Sequence, residues 1–434
     1  MKGSHIRFVA VTTVSLTALA LFPGAAHAGG FYLQEQSVKA AGRAFSGEVA
    51  DEGADSLWWN PAAIADIEQN EVYIGISTIL PSAKVRDNGT VIVRPGQPAA
   101  PVGGNPLAKD PIETGILPSS AVAIRLTDRL VAGLAVSAPY SFTTNYDADS
   151  WVRYTADKSK LRTIDIQPSL AIAATDWLRL GVAANIEYSD ATLTNALPNL
   201  VAALPDGEQR LEGDGWDLGW SAGAQVHTGP MTLGVSYKSS IKHTLAGRVE
   251  TSGLLGPLAP ANGTIDADAA FRTPWQLIMG GRFKASDKLT LNAQVVRIGW
   301  SEFDAIRLGD PINQAIPENY RNTWSFAGGL DYDFGPEWTV RAGVQHDQTP
   351  TRDGERDARV PDSDRWNFAA GTSYDVSKRF TIDAAVNYVS FKDASIDRVT
   401  AAYAGTAAQT PIIVDGRLED TSAIVLAIGG RFRF

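Results

Sequence analysis

Residues 422–434 read Ser-Ala-Ile-Val-Leu-Ala-Ile-Gly-Gly-Arg-Phe-Arg-Phe. Ile424, Leu426, Ile428, Phe432 and Phe434 fall on one phase of a two-residue period; Val425, Ala427, Gly429, Arg431 and Arg433 fall on the other. One face of this strand is apolar, and the other is small or basic. Such a strand, ending on an aromatic residue, fits a wall with lipid on one side and a polar lumen on the other.

The opposite end of the chain agrees. Lys2 and Arg7, an apolar stretch from Phe8 to Phe22, and Ala26-His27-Ala28 before Gly29 form the pattern of a secretory signal peptide cleaved after Ala28. The destination implied by leader and strand together is the outer membrane of a Gram-negative bacterium. The chain carries 38 Lys and Arg against 48 Asp and Glu, a net charge of −10, and loss of the leader would make it more negative. That balance argues against nucleic acid as a partner. Cys is absent, which removes disulfides, thiolate metal sites and cysteine nucleophiles. No apolar run of about 18 residues follows the leader, so the elements that cross the bilayer must be strands.

Alternating segments occur near 70–80, 119–127, 130–142, 161–174, 177–189, 215–228, 231–243, 266–284, 288–300, 321–334, 337–347, 365–375, 379–391 and 420–434, fourteen in all. Thr127-Asp128-Arg129, Thr175-Asp176, Thr228-Gly229-Pro230, Ala285-Ser286-Asp287, Gly335-Pro336-Glu337 and Val376-Ser377-Lys378 are tight turns between partners. The other connections are long, near 81–118, 143–160, 190–214, 244–265, 301–320, 348–364 and 392–419. Short turns at one rim and long loops at the other predict an all-β, 14-stranded antiparallel transmembrane barrel. Met231, Leu233, Val235 and Tyr237 would face lipid, as would Trp324, Phe326, Leu330, Tyr332 and Phe334.

Residues 29–68 do not alternate. They are rich in Ala and Gly and contain Gly42-Arg43-Ala44-Phe45-Ser46-Gly47 and Trp58-Trp59-Asn60-Pro61-Ala62. Too apolar for a disordered tail, they are expected to form a hatch inside the lumen. The organisation is then a signal peptide at 1–28, a hatch at 29–68 and the barrel at 69–434.

Here the chain resembles the FadL family of outer-membrane channels for hydrophobic compounds. The resemblance rests on Gly30-Phe31-x-Leu33, on the segment beginning at Gly42, and on Asn60-Pro61-Ala62. It extends more loosely to Ala138-Pro139-Tyr140, Trp151 and Tyr154. It implies passive uptake of hydrophobic molecules, long-chain fatty acids first, with neutral aromatic hydrocarbons as the alternative. It also implies capture by outer loops, transfer to a pocket at the hatch, and sideways release where the third strand kinks. Phe31, Arg43, Asn60, Pro61 and Ala62 become hatch or gating residues, and Ala138 and Pro139 mark the exit.

The residues add their own signals. Leu197, Leu200, Val201 and Leu204 recur at helix-face spacing, and Leu254, Leu255 and Leu258 sit in the next long loop. Two apolar clusters in outer loops suggest a capture groove. Pro139 lacks a ladder donor and marks an edge or bulge. Arg43 is expected to pair with a lumenal carboxylate such as Asp165 or Glu187. The family's basic residue before the first capture loop has no counterpart, since that stretch reads Asn185-Ile186-Glu187-Tyr188-Ser189-Asp190. A ligand carboxylate would need another cation, with Lys238, Lys242, Arg272 and Arg341 the inward candidates.

Rival classes are weaker. Gly219-Trp220-Ser221-Ala222-Gly223 matches G-x-S-x-G but lies mid-strand, where no nucleophile elbow forms; no enzyme is expected. Asp147 with Asp149, and Asp362 with Asp364, are acidic loop pairs read as solvated rather than as calcium ligands. Neither cofactor nor metal is called for. A general diffusion porin is the remaining alternative, distinguished by whether a hatch fills the lumen. A monomer in outer-membrane lipid is the expected state.

Overall fold

A computed structural model describes residues 29–434, so the proposed leader lies outside the described residues. The wall consists of β1 (Glu71–Asp87), β2 (Gly115–Arg125), β3 (Leu130–Ser137), β4 (Lys158–Ala173), β5 (Leu178–Leu197), β6 (Gly207–Thr228) and β7 (Met231–Lys238). It continues through β8 (Trp275–Lys284), β9 (Leu289–Gly299), β10 (Thr323–Asp333), β11 (Trp338–Asp347), β12 (Arg365–Ser377), β13 (Phe380–Phe391) and β14 (Thr410–Arg433). Each strand pairs antiparallel with its sequence neighbours. The ring closes where β14 pairs with β1, with Ile428 opposite Ile76. Closure leaves no sheet edge to lipid, which is what lets fourteen strands stand in a bilayer.

The alternation read in the last strand holds in three dimensions. Ile424, Leu426, Ile428, Phe432 and Phe434 are exposed on the outer surface, while Val425 and Ala427 are buried. Arg431 turns inward and its guanidinium binds Asp383 of β13 at 2.9 Å.

Several strands run further outward than their alternation signals. β1 reaches Asp87 rather than 80, β5 reaches Leu197 rather than 189, β6 starts at Gly207 rather than 215, and β14 starts at Thr410 rather than 420. Beyond the bilayer both faces of a strand can be polar, so pairing continues after the apolar phase fades. Three expected strands are interrupted: β3 resumes only at Ser141–Asn145, β7 resumes at Ile241–Ser252, and Pro274 separates Ala269–Thr273 from β8.

Candidate functional site

The segment from residue 29 to 67 fills the lumen with short helical turns, Val38–Ala41, Glu48–Ala50, Ala54–Ser56 and Pro61–Ile64. Asn60 fixes the last of these. Its side-chain oxygen accepts the Ala62 N–H at 2.9 Å, and its amide donates to the Val49 carbonyl at 2.7 Å and to the Ala224 carbonyl of β6 at 3.3 Å. The wall makes room with glycine: a Cβ on Gly223 would lie 1.9 Å from Asn60 Oδ1, and one on Gly181 would lie 2.3 Å from the Pro61–Ala62 backbone. An open aqueous lumen, as a diffusion porin requires, is not what these residues form.

Arg43 does not pair with Asp165 or Glu187. Fully buried, it binds Glu48 and Asp51 within the hatch, the latter at 2.5 Å, and Asp331 of β10 at 3.4 Å. Arg282 joins the same group through Asp51 at 3.1 Å and Asp331 at 2.9 Å. A lumenal carboxylate was the right class of partner, but the short turns at Arg43–Asp51 fold the chain back on itself and aim the guanidinium across the barrel. Removing one member of such a buried set leaves an uncompensated charge and costs about 3–5 kcal/mol.

At the outer side of the hatch, Phe31 is buried in an aromatic cluster, 4.9 Å from Trp300 and 5.0 Å from Phe303 between ring centroids. It forms part of the lining of a narrow apolar pocket, with Phe142, Leu161, Leu245, Phe271, Phe303 and Tyr320. The pocket's charged residues are Lys160, Glu212, Glu318 and Arg359. Lys160 is held by Asp190 at 2.8 Å, and Arg359 by Asp357 at 3.1 Å, while Arg359 Nε, buried, has no protein acceptor. Lys160 and Arg359 escaped sequence reading because a single cation in a polar outer segment has no pattern to set it apart.

Pro139 lies in the break of β3. The β2–β3 ladder stops at Ser120 opposite Val136, and pairing between these stretches returns only where Glu113 N–H donates to the Thr143 carbonyl at 3.1 Å. The hatch occupies the interval: Leu33 N–H donates to Pro139 O at 2.8 Å and Ser141 N–H to Phe31 O at 3.0 Å. Gln36 adds a side-chain bond to the Ala138 carbonyl at 3.0 Å. Pocket, hatch terminus and wall break are thus within one or two residues of each other.

The four basic residues singled out as ligand partners divide. Lys242 and Arg272 sit opposite one another in register and are exposed on the outside, not the lumen. The break at residues 239–240 shifts the two-residue phase, which turns the side chains after it to the other face. Arg341 is inward but binds Asp331 at 2.9 Å and Ser373 at 2.6 Å. Lys238 is buried, donates to Gln167 at 3.3 Å and lies 4.1 Å over the Trp58 ring.

The two leucine clusters do meet, in a different form from that expected. Leu197 ends β5, and residues 198–206 turn without a helix between Pro198 and Pro205. Leu197, Leu254 and Leu258 bury one another with Leu200 at the margin, leaving Val201, Leu204 and Leu255 exposed. Ser221 lies in β6, and its hydroxyl donates to the Asn185 side-chain oxygen at 2.5 Å rather than to a base. Asp362 is an ion-pair partner of Arg365 and accepts the Gly30 N–H at 2.8 Å, so it tethers the hatch rather than standing in solvent.

A closed strand barrel filled by an N-terminal hatch defines an outer-membrane channel with an apolar pocket. Residues 19–434 match the family model described as outer membrane protein transport protein (OMPP1/FadL/TodX), and the chain belongs to that family. It is accordingly an outer-membrane transporter of hydrophobic compounds and not an enzyme. A putative outer membrane protein of Neisseria meningitidis serogroup B is 26% identical over 397 residues, 81% of this chain and 84% of that protein. The long-chain fatty acid transport protein of Escherichia coli O6:H1 is 23% identical over 384 residues, covering 80% and 84%. The crystal structure of a Pseudomonas aeruginosa FadL homologue superposes with a TM-score of 0.81 at 25% identity, covering 93% of this chain and all of that one. The fold is also shared with the toluene transporter TbuX of Ralstonia pickettii, TM-score 0.63 at 18% identity, covering 94% and 99%.

Proposed function

We propose passive uptake of hydrophobic molecules, with long-chain fatty acids as the cargo, captured at Val201, Leu204 and Leu255, held in the pocket above Phe31 and released sideways at Ala138–Pro139. The observation that carries this reading is the sharing of Phe31: its ring lines the apolar pocket and its carbonyl is bonded to Ser141 at the wall break. A hatch movement that frees the carbonyl also moves the pocket floor. Arg359 supports a carboxylate cargo, since its buried Nε can donate to an anion at the pocket margin.

One observation favours a second cargo, neutral aromatic hydrocarbons. Phe31, Phe142, Phe271, Phe303 and Tyr320 offer ring faces and edges around the pocket, and its two cations already hold protein carboxylates. Binding of oleate and toluene to the purified protein separates the two. Arg359→Gln should weaken oleate about tenfold and spare toluene. Failure of both to bind, together with ion conductance of an open pore in planar bilayers, would reject the uptake reading.

A further inference from the structure

Three interruptions of the wall meet at one cavity. Pro139 from the break in β3, Ser239 from the break after β7, and Thr273 beside Pro274 all line a small chamber, with free space of about 20 Å3, the size of one water or one hydroxyl group. Tyr140 stands between it and the apolar pocket, its ring 6.0 Å from that of Phe31. The chamber thus adjoins both the pocket, across Tyr140, and the wall break, at Pro139.

Its walls are unlike the pocket's. Asp165 Oδ1, Glu187 Oε1 and Gln276 Oε1 accept no hydrogen bond from the protein and Trp58 Nε1 donates none. All four side chains belong to residues no more than 3% exposed. Glu187 Oε1 is 3.4 Å from His243 Nε2, an electrostatic contact without hydrogen-bond geometry. Lys238 gives one hydrogen to Gln167 and has others to give. Orphaned buried polar groups are costly, so four around one cavity mark a place built to receive a polar group.

The donor and acceptor inventory says which. Three acceptors and two donors face the space, so the best occupant both gives and takes a hydrogen bond. A hydroxyl does both, a hydrocarbon does neither, and a carboxylate only accepts and would meet two acidic side chains. We propose that this chamber is a second subsite, which takes the hydroxyl group of an apolar cargo, an alkanol or a phenol, between the pocket and the wall break. This rests on the reading that the neighbouring pocket holds the apolar body of a cargo.

Displacement of a fluorescent lipophile from the full-length protein in detergent, by decane, 1-decanol and decanoate, tests it. Decanol should bind at least tenfold more tightly than decane. Gln276→Met and Glu187→Gln should each cut that advantage threefold or more while leaving decane affinity unchanged, and retained decane binding reports a folded variant. Equal binding of decanol and decane to the unmodified protein would show a chamber that holds water only, and would overturn the subsite while sparing the pocket. So would a decanoate affinity that depends on Gln276 and Glu187 as strongly as decanol's. Failure of decane to bind at all would overturn the pocket reading and the subsite with it.

Discussion

The backbone N–H of Leu33 donates to the carbonyl of Pro139 at 2.8 Å, so the start of the hatch takes the ladder position that β2 leaves vacant beside β3. The wall is closed at this point by a segment that is not part of the wall. A missing donor at Pro139, and the restriction a proline places on Ala138, keep β3 from closing the interval itself.

Pro139→Val supplies the donor and lifts the restriction. Residues 137–141 can then continue as strand against residues 115–119 of β2. Uptake of labelled oleate by intact cells is expected to drop severalfold, while binding at the outer surface is retained. The measurement is paired, binding against accumulation, with heat-modified mobility on gels as the check on barrel folding. Normal accumulation by a folded variant would count against release at this strand and leave passage past the hatch into the periplasm.

Asn60 makes three hydrogen bonds, a cap to Ala62 and a bond to Val49 within the hatch, and one to Ala224 of the wall. Asn60→Ala removes all three and is expected to destabilise the hatch by about 1–3 kcal/mol, with the barrel intact. Asn60→Asp keeps the cap acceptor and loses both donors, so its effect should be intermediate. Limited proteolysis near residue 60 reads the loosening, and uptake of oleate and toluene reads the function. Unchanged uptake of both in Asn60→Ala combined with Pro61→Ala would remove the gating role.

What could be read in the sequence follows from what repeats. The two-residue alternation of residues 424–428 recurs in every wall strand because lipid imposes it on each, and the tight turns, Val376-Ser377-Lys378 apart, announce themselves by Asp, Gly or Pro. The hatch stood out because residues 29–68 break that period. The hidden features are those that one residue decides. A slip at residues 239–240 carried Lys242 to the outside, Pro198 and Pro205 turned an apparent helix face into a turn, and Arg43 found Asp331 across the lumen through a backbone fold that no period signals. Arg359 and Glu318, which reach the pocket from outer loops, belong to the same class.

Capture separates from stability in the leucine cluster. Leu254 is buried with Leu197 and Leu258, whereas Val201 and Leu255 are exposed. Val201→Ser with Leu255→Ser should weaken initial ligand binding about tenfold, each side chain being worth up to about 1.5–3 kcal/mol when covered by ligand. Thermal unfolding should not move. Leu254→Ser is expected to do the reverse, loosening the outer hairpins with a smaller direct effect on binding. Unaltered affinity in the double variant would mean that the exposed leucine-rich tip is not where cargo first lands.

The pocket carries a built-in response to pH. Glu318 lines it, and burial, with Asp357 nearby, pushes its carboxyl up to about 7 against the opposing pull of Arg398 and Arg359. Because the folded value lies above the ordinary one, the neutral acid is the form the fold favours. The stability linked to it is fully present below about pH 4.5 and is lost as pH rises through about 7. The same sign governs an anionic cargo. Below pH 7 a neutral Glu318 leaves the pocket margin more positive, and above it an added negative charge opposes the ligand by about 1–2 kcal/mol. Decanesulfonate, charged at every pH used, should therefore bind several-fold more weakly at pH 8.5 than at pH 5.5, while toluene shows no change. Glu318→Gln should flatten the decanesulfonate profile near its low-pH affinity. A flat profile in the unmodified protein, or a slope that survives in Glu318→Gln, would place the anion's head away from this margin.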